Sequence, residues 1–171
     1  MTESVRSERV YEGRFIALRV DTITLSDGAT ARRDVLEHPG AVAIVPIADN
    51  GEVVLVTQYR HAVGEWLLEI PAGTLEQGED PDWCAARELE EETGYTASRM
   101  RRLFSMYMAP GYSTELLHVY VAEGLAQGQS HPDDDERIEV TRIPLTDIPD
   151  MIQNGRIRDA KTIAALMTIV R

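Results

Sequence analysis

The chain has 171 residues, 43% hydrophobic and 27% charged, with 12 Gly and 8 Pro. That is the size and make-up of one folded unit, and it excludes collagen-like, low-complexity and wholly disordered classes. Lys and Arg number 17 against 29 Asp and Glu, and the net charge of -12 repels nucleic-acid backbones and anionic lipid. No run approaches the ~18 apolar residues of a membrane span, and Met1-Thr2-Glu3-Ser4 lacks the basic and apolar regions of a secretory signal, so a cytoplasmic protein is expected. The single cysteine, Cys84, excludes an intrachain disulfide and a Cys-rich zinc site, and reads as a small buried apolar residue.

In chain order, residues 5–11, 15–25 and 31–36 read as strands, with Ser26-Asp27-Gly28 as a hairpin turn between the last two. Residues 41–48 and 53–59 are β-branched runs around Asp49-Asn50-Gly51, a second hairpin signal for two central strands. Residues 81–93 follow Asp80 as N-cap, carry Pro at the first helical position and stop at Gly94, which predicts a helix. Residues 100–108, 115–122 and 138–143 read as three more strands, with a polar, acidic loop from Gly124 to Glu136. A short helix opens at Thr146 or Asp147 and ends near Gly155, and a last helix follows Asp159. Strands and helices without regular alternation favour an α/β (α+β) fold, a mixed sheet with helices on its faces.

The most informative stretch is residues 87–94, RELEEETG. Glu88, Glu91 and Glu92 fall at i, i+3 and i+4 on one helix face, while Ala85, Ala86 and Leu89 form an adjoining apolar face. Like charges at this spacing repel by roughly 0.2–0.5 kcal/mol per pair, near a helix C-terminus that prefers cations. A hard divalent cation such as Mg²⁺ or Mn²⁺, shared with a substrate phosphate, reverses that repulsion; the bland alternative is a solvated acidic helix.

Gly73, five residues, Glu79, seven residues, then Arg87-Glu88-Leu89, one residue, Glu91-Glu92, one residue, Gly94 and Tyr95 resembles the Nudix box, with Tyr95 where an aliphatic residue is usual. The resemblance implies a Nudix-type α/β/α sandwich and hydrolysis of a nucleoside diphosphate linked to another group. It assigns metal ligation to Glu88 and Glu92, with Glu91 ligating or acting through a metal-bound water, and adds the backbone carbonyl of Ala72. Gly73, Glu79, Arg87 and Gly94 then hold the box together. A metal at such a site neutralises the pyrophosphate and lowers the pKa of the attacking water.

Outside the box, Pro110, sixteen residues after Gly94 and followed by Gly111, resembles the ADP-ribose pyrophosphatase branch. So do Gln58-Tyr59-Arg60, the segment from Trp66 to Gly73 containing Glu69, and the ending Gly155-Arg156-Ile157 with Asp159-Ala160-Lys161-Thr162. Arg60 is a candidate phosphate clamp because a guanidinium offers forked donors to oxyanions, and its alternative is a surface ion pair. Phe15 matches an aromatic position that stacks on adenine in similar enzymes, and its alternative is strand core packing. Arg33 is a further candidate for the phosphates, and Glu69, Pro110 and Gly111 complete the substrate set. In the acidic loop, Glu136 and Asp134 match a pair of acids that supply a general base, with Glu136 also a metal ligand. His38, His61, His118 and His131 are isolated in spacing and support no His-based site.

The reading is a Mg²⁺-dependent hydrolase, with Mn²⁺ as a substitute, that cleaves ADP-ribose to AMP and ribose 5-phosphate. Residues 41–171 form the Nudix domain and residues 1–40 an antiparallel strand unit for substrate binding and dimerisation. The resemblance implies a homodimer with exchanged N-terminal strands. The alternatives are a GDP-mannose or other nucleotide-sugar pyrophosphatase, and a non-catalytic ADP-ribose-binding module.

Overall fold

The computed structural model describes residues 4–129 and 137–170. Strand β4 (Ala41–Ile47) is central, and Ala41 through Pro46 are buried because both of its faces are covered. Its alternate side chains enter two different cores. Ala41, Ala43 and Val45 pack with Leu117 and Val119 beneath Ile148, Met151, Ala165 and Leu166. Val42 and Ile44 pack with Tyr120 and Ala122 beneath Cys84, Ala85 and Leu89. The first core is closed by helices α2 (Ile148–Gln153) and α3 (Ala160–Ile169), the second by α1 (Pro81–Thr93). The α/β/α sandwich follows directly from this alternation.

The large sheet runs β10-β5-β4-β9-β8, with β6 on β5 and β7 on β4. Its members are β5 (Glu52–Arg60), β6 (Glu65–Glu69), β7 (Ala72–Thr74), β8 (Tyr95–Tyr107), β9 (Leu116–Gln127) and β10 (Ile138–Pro144). β4 and β9 are parallel and the remaining pairs antiparallel, so the sheet is mixed. The hairpin expected across Asn50-Gly51 closes at its turn, with Gly51 at φ 80°, but β4 and β5 are in register only at Ile47 and Val53. Beyond that pair they part. β7 takes Ala41, Val42 and Ala43, and Ile44 N–H donates to the Pro71 carbonyl at 2.9 Å. Arg60, at the far end of β5, therefore lies across an opening from Ala72 and Gly73 on β7.

Helix α1 has the expected bounds. Asp80 caps it by accepting from Asp82 N–H at 2.8 Å, and Gly94 ends it at φ 71° in the left-handed region that favours glycine. Its apolar face is Cys84, Ala85 and Leu89; Ala86, expected on that face, is exposed. Strands β6 and β7 carry no alternating apolar pattern in the sequence: they are only five and three residues long, and Pro71 stands between them. β9 runs on to Gln127 through part of the expected loop, since Glu123 to Gln127 find partners in the first residues of β8. β8 itself begins at Tyr95, immediately after the helix cap.

The N-terminal strands β1 (Ser4–Glu12), β2 (Ala17–Thr24) and β3 (Thr30–Glu37) form a separate antiparallel sheet. It joins the rest where Leu36 N–H donates to the Tyr112 carbonyl at 2.7 Å and Thr114 N–H to the Leu36 carbonyl at 3.0 Å. β2 starts at Ala17 rather than Phe15, because Gly13 N–H bonds the Ile16 carbonyl at 2.8 Å and folds residues 13–16 into the connection.

Candidate active site

The segment from Glu69 to Gly73 runs between α1 and α3, and both helices grip it. Ala72 N–H donates to Glu92 Oε2 at 3.1 Å, and Glu92 is only 3% exposed. Ile70 N–H donates to Thr162 Oγ1 at 2.9 Å from the other side. A Cβ placed on Gly73 would overlap the Glu88 carboxylate. Glycine is needed here for close approach of a carboxylate to the backbone, not for an unusual φ.

Arg87 lies among the box acids. Its Nε and Nη2 grip the two Glu79 oxygens at 3.0 and 3.1 Å, while Nη1 donates to Glu88 at 2.8 Å and to Glu91 at 2.7 Å. Glu79 also accepts Glu76 N–H at 2.9 Å, so the pair ties the loop before α1 to the helix. The Arg87 hydrogen bond outweighs burial and lowers the Glu79 carboxyl to about 2. Part of the repulsion within the glutamate row is thus met by an internal guanidinium. Glu88 and Glu91 turn toward Arg87 and Glu92 toward Ala72 N–H, and among the described residues no three His, Cys, Asp or Glu side chains converge as a metal cage. The donor set nevertheless fits a hard divalent ion: the carboxylates are oxygen donors on one helix face, and Glu88 and Glu92 are pressed against β7.

A cleft of about 470 Å³ opens over this face. Its lining includes Arg87, Glu88 and Glu91 of α1, Ala72 and Gly73 of β7, and Arg14, Phe15 and Arg60. The structure thus brings together sequence candidates from the β1–β2 connection, the end of β5 and the box. Phe15 is 55% exposed, which removes core packing as its role, and the Arg14 guanidinium lies 4.6 Å from its ring centroid. Arg14 has no place among the sequence candidates; its position beside Phe15 in the turn was the available signal.

Other candidates lie elsewhere. Glu69 is 1% exposed, and its oxygens accept from Arg60 Nε and Nη2 at 2.9 and 2.8 Å and from Lys161 Nζ. It therefore meets the cleft through Arg60. Pro110 and Gly111 form an exposed turn closed by Tyr112 N–H to the Ala109 carbonyl at 3.0 Å. Arg33 is exposed on β3, opposite Asp21, and does not line the cleft of this chain. Asp134, Glu136 and His131 lie outside the described residues. A second pocket of about 250 Å³ shares Arg60, Ala72, Gly73 and Thr74 with the cleft and adds Glu115, Asp159 and Lys161.

Comparison with known proteins fits this geometry. The NUDIX domain matches residues 37–166, and the nucleoside diphosphate sugar hydrolase N-terminal domain matches residues 3–36. An ADP-ribose pyrophosphatase of Bacillus subtilis is 37% identical over 96% of this chain and 90% of its own. A methanol dehydrogenase activator of Bacillus methanolicus is 40% identical over the same shares. A GDP-mannose pyrophosphatase of Yersinia enterocolitica is 35% identical over 96% of this chain and 92% of its own. The crystal structure of an ADP compounds hydrolase superposes with a TM-score of 0.86 at 26% identity, covering 97% of this chain and 91% of that one. The chain belongs to the NUDIX family and is a Nudix hydrolase.

Proposed function

We propose that the protein hydrolyses ADP-ribose with water to AMP and ribose 5-phosphate. The observation that carries this is the cleft itself, which brings an exposed aromatic ring and the Arg60 side chain into one lining with Glu88 and Glu91. Phe15 offers a face to adenine, and Arg60 offers donors to the diphosphate. Nudix hydrolases depend on a divalent metal, and Mg²⁺ is our choice because all the donors are oxygens. Glu88, Glu91 and Glu92 with the Ala72 carbonyl would hold it, and when bound it supplies charge neutralisation at the pyrophosphate and an acidified water. Glu91, which lines the cleft, and the loop acids Glu136 and Asp134 are the candidate bases. Loss of the acidic limb of kcat against pH in Glu136→Gln or Asp134→Asn, but not in the other, assigns the role to that residue.

The deciding experiment is turnover of a panel of nucleotide-sugar diphosphates with Mg²⁺, read by product chromatography. ADP-ribose should be the fastest. Preference for GDP-mannose or another sugar would support the second reading, which the Yersinia relative favours. Binding without turnover would support a non-catalytic module.

Homodimerisation through residues 1–40 completes the proposal. The small sheet packs only sparsely on the elements of the large one, and Val10, Tyr11 and Ile16 on or beside it are exposed. A partner copy would cover them and bring its own Arg33 toward this cleft. Light scattering near 19.1 kDa would refute the dimer. We place the protein in the cytoplasm because its one cysteine, Cys84, is free and buried, which suits a reducing compartment; among the described residues no helix is long and apolar enough to cross a membrane.

A further inference from the structure

We infer that Lys161 and Glu69 are positioning residues that aim Arg60 at the substrate diphosphate, so that helix α3, which packs on the opposite face of the sheet from α1, sets the phosphate clamp. This rests on the phosphate role proposed for Arg60.

Arg60 stands at the open end of β5, where the strand has parted from β4, and its side chain is 38% exposed. A long side chain in such a place samples many rotamers, and ordering it costs entropy. Glu69 removes that freedom. It grips Nε and Nη2 in a fork, which fixes the guanidinium plane and leaves Nη1 unengaged among the described residues. Among the described residues, Arg60 is also the one charged side chain that lines both the cleft and the adjoining pocket.

Glu69 in turn needs holding. A carboxylate at 1% exposure is costly unless fully paired. Lys161 supplies the second cation, and its own side chain is 12% exposed. Asp159 Oδ2 holds Lys161 Nζ at 3.1 Å, caps α3 through Thr162 N–H at 2.9 Å, and accepts the Thr162 hydroxyl at 2.6 Å. That hydroxyl receives Ile70 N–H, next in sequence to Glu69. The four charges, Arg60, Glu69, Lys161 and Asp159, balance to zero. The chain of contacts is continuous from a helix cap to the clamp, so α3 carries a functional constraint besides its share of the core.

A double-mutant cycle tests this, with ADP as the probe, titrated calorimetrically in EDTA so that neither metal nor turnover enters. Arg60→Gln should weaken ADP about tenfold, and Lys161→Met about tenfold in the parent but less than twofold in the Arg60→Gln background, because its effect passes through Arg60. Lys161→Arg should restore affinity to within about threefold of the parent. If Lys161→Met does not fold, Lys161→Gln carries the same test, and Glu69→Gln reads the middle of the chain. Equal weakening in both backgrounds would mean that Lys161 touches the ligand itself, and would overturn the inference. So would a lowered melting temperature with unchanged ADP affinity, or an Arg60→Gln variant that binds ADP like the parent. A parent that prefers another sugar diphosphate, or turns over none, refutes the ADP-ribose reading and leaves these titrations interpretable.

Discussion

Gly73→Ala separates the shape of the site from the stability of the fold. Gly73 has no positive φ, so alanine is acceptable to the backbone and removes freedom from the unfolded chain, a gain of about 0.4–1 kcal/mol. The obstacle is the Glu88 carboxylate, which occupies the place of the new methyl and must retreat by about 1.5 Å or more to reach ordinary contact distance. Glu88 can retreat, being the end of a flexible side chain on a helix rather than backbone. Its lost bond to Arg87 is one of four that the guanidinium makes to acids, so the net change in stability should stay within about 1 kcal/mol. Displacement on that scale at a reacting centre costs about 10²-fold in rate. We therefore expect Gly73→Ala to melt within about 4 °C of the parent, while kcat falls about 100-fold and the Mg²⁺ concentration for half-maximal rate rises. Thermal melting and a metal titration of turnover check this. A rate within threefold of the parent would show that Glu88 need not sit against β7, and a large loss of stability would show that Gly73 serves the fold.

Three other outcomes are expected. Glu92→Gln keeps an acceptor for Ala72 N–H and should fold like the parent, yet lose at least about 10²-fold in turnover by steady-state assay. Glu79→Gln should cost roughly 1–2 kcal/mol at pH 7 in chemical denaturation. Because Arg87 lowers the Glu79 carboxyl from 4.5 to about 2, the pair stabilises fully above pH 4.5 and its contribution disappears as the pH falls toward 2, so the variant and parent should converge there. Phe15→Ala removes an exposed ring and should alter stability by less than about 0.5 kcal/mol, while KM for ADP-ribose rises about tenfold with kcat little changed.

The sequence was most readable where the physics is local. Helix α1 was legible to the residue because its cap, its proline and its terminal glycine are all written within the segment. The glutamate row was equally plain, since helical spacing alone puts Glu88, Glu91 and Glu92 together. What stayed hidden is non-local. Ala86 was misassigned because which side of the helix is covered depends on where the sheet lies. The parting of β4 from β5 depends on β7, a strand of three residues after a proline, and no turn signal reports it. Phe15 could be placed at the cleft only by the connection that lifts it out of β2. Glu69 carried a substrate role by resemblance, but a local reading does not contain Lys161, 92 residues away, which occupies the same carboxylate.

The stretch from Glu69 to Gly73 explains how these separate pieces become one site. Glu69 holds Arg60 and Lys161, Ile70 is tied to Thr162 on α3, and the Pro71 carbonyl is tied to Ile44 on the central strand. Ala72 is tied to Glu92 on α1, and Gly73 yields its side-chain space to Glu88. Five consecutive residues thus each make a different contact, two reaching α3 or its neighbours, one the sheet, and two α1. The contacts pass from α3 through the sheet to α1 along the segment, and five extended residues span roughly 17 Å where a helix of the same length rises only about 7.5 Å, so an extended segment can reach both layers of the sandwich. Its register fixes the distance between the cationic and the acidic halves of the cleft. An inserted or deleted residue would interchange the faces and uncouple the halves even if both cores survived. The proposed phosphate clamp and the proposed metal face are therefore joined through backbone, and residues 69–73 serve that link as well as the core.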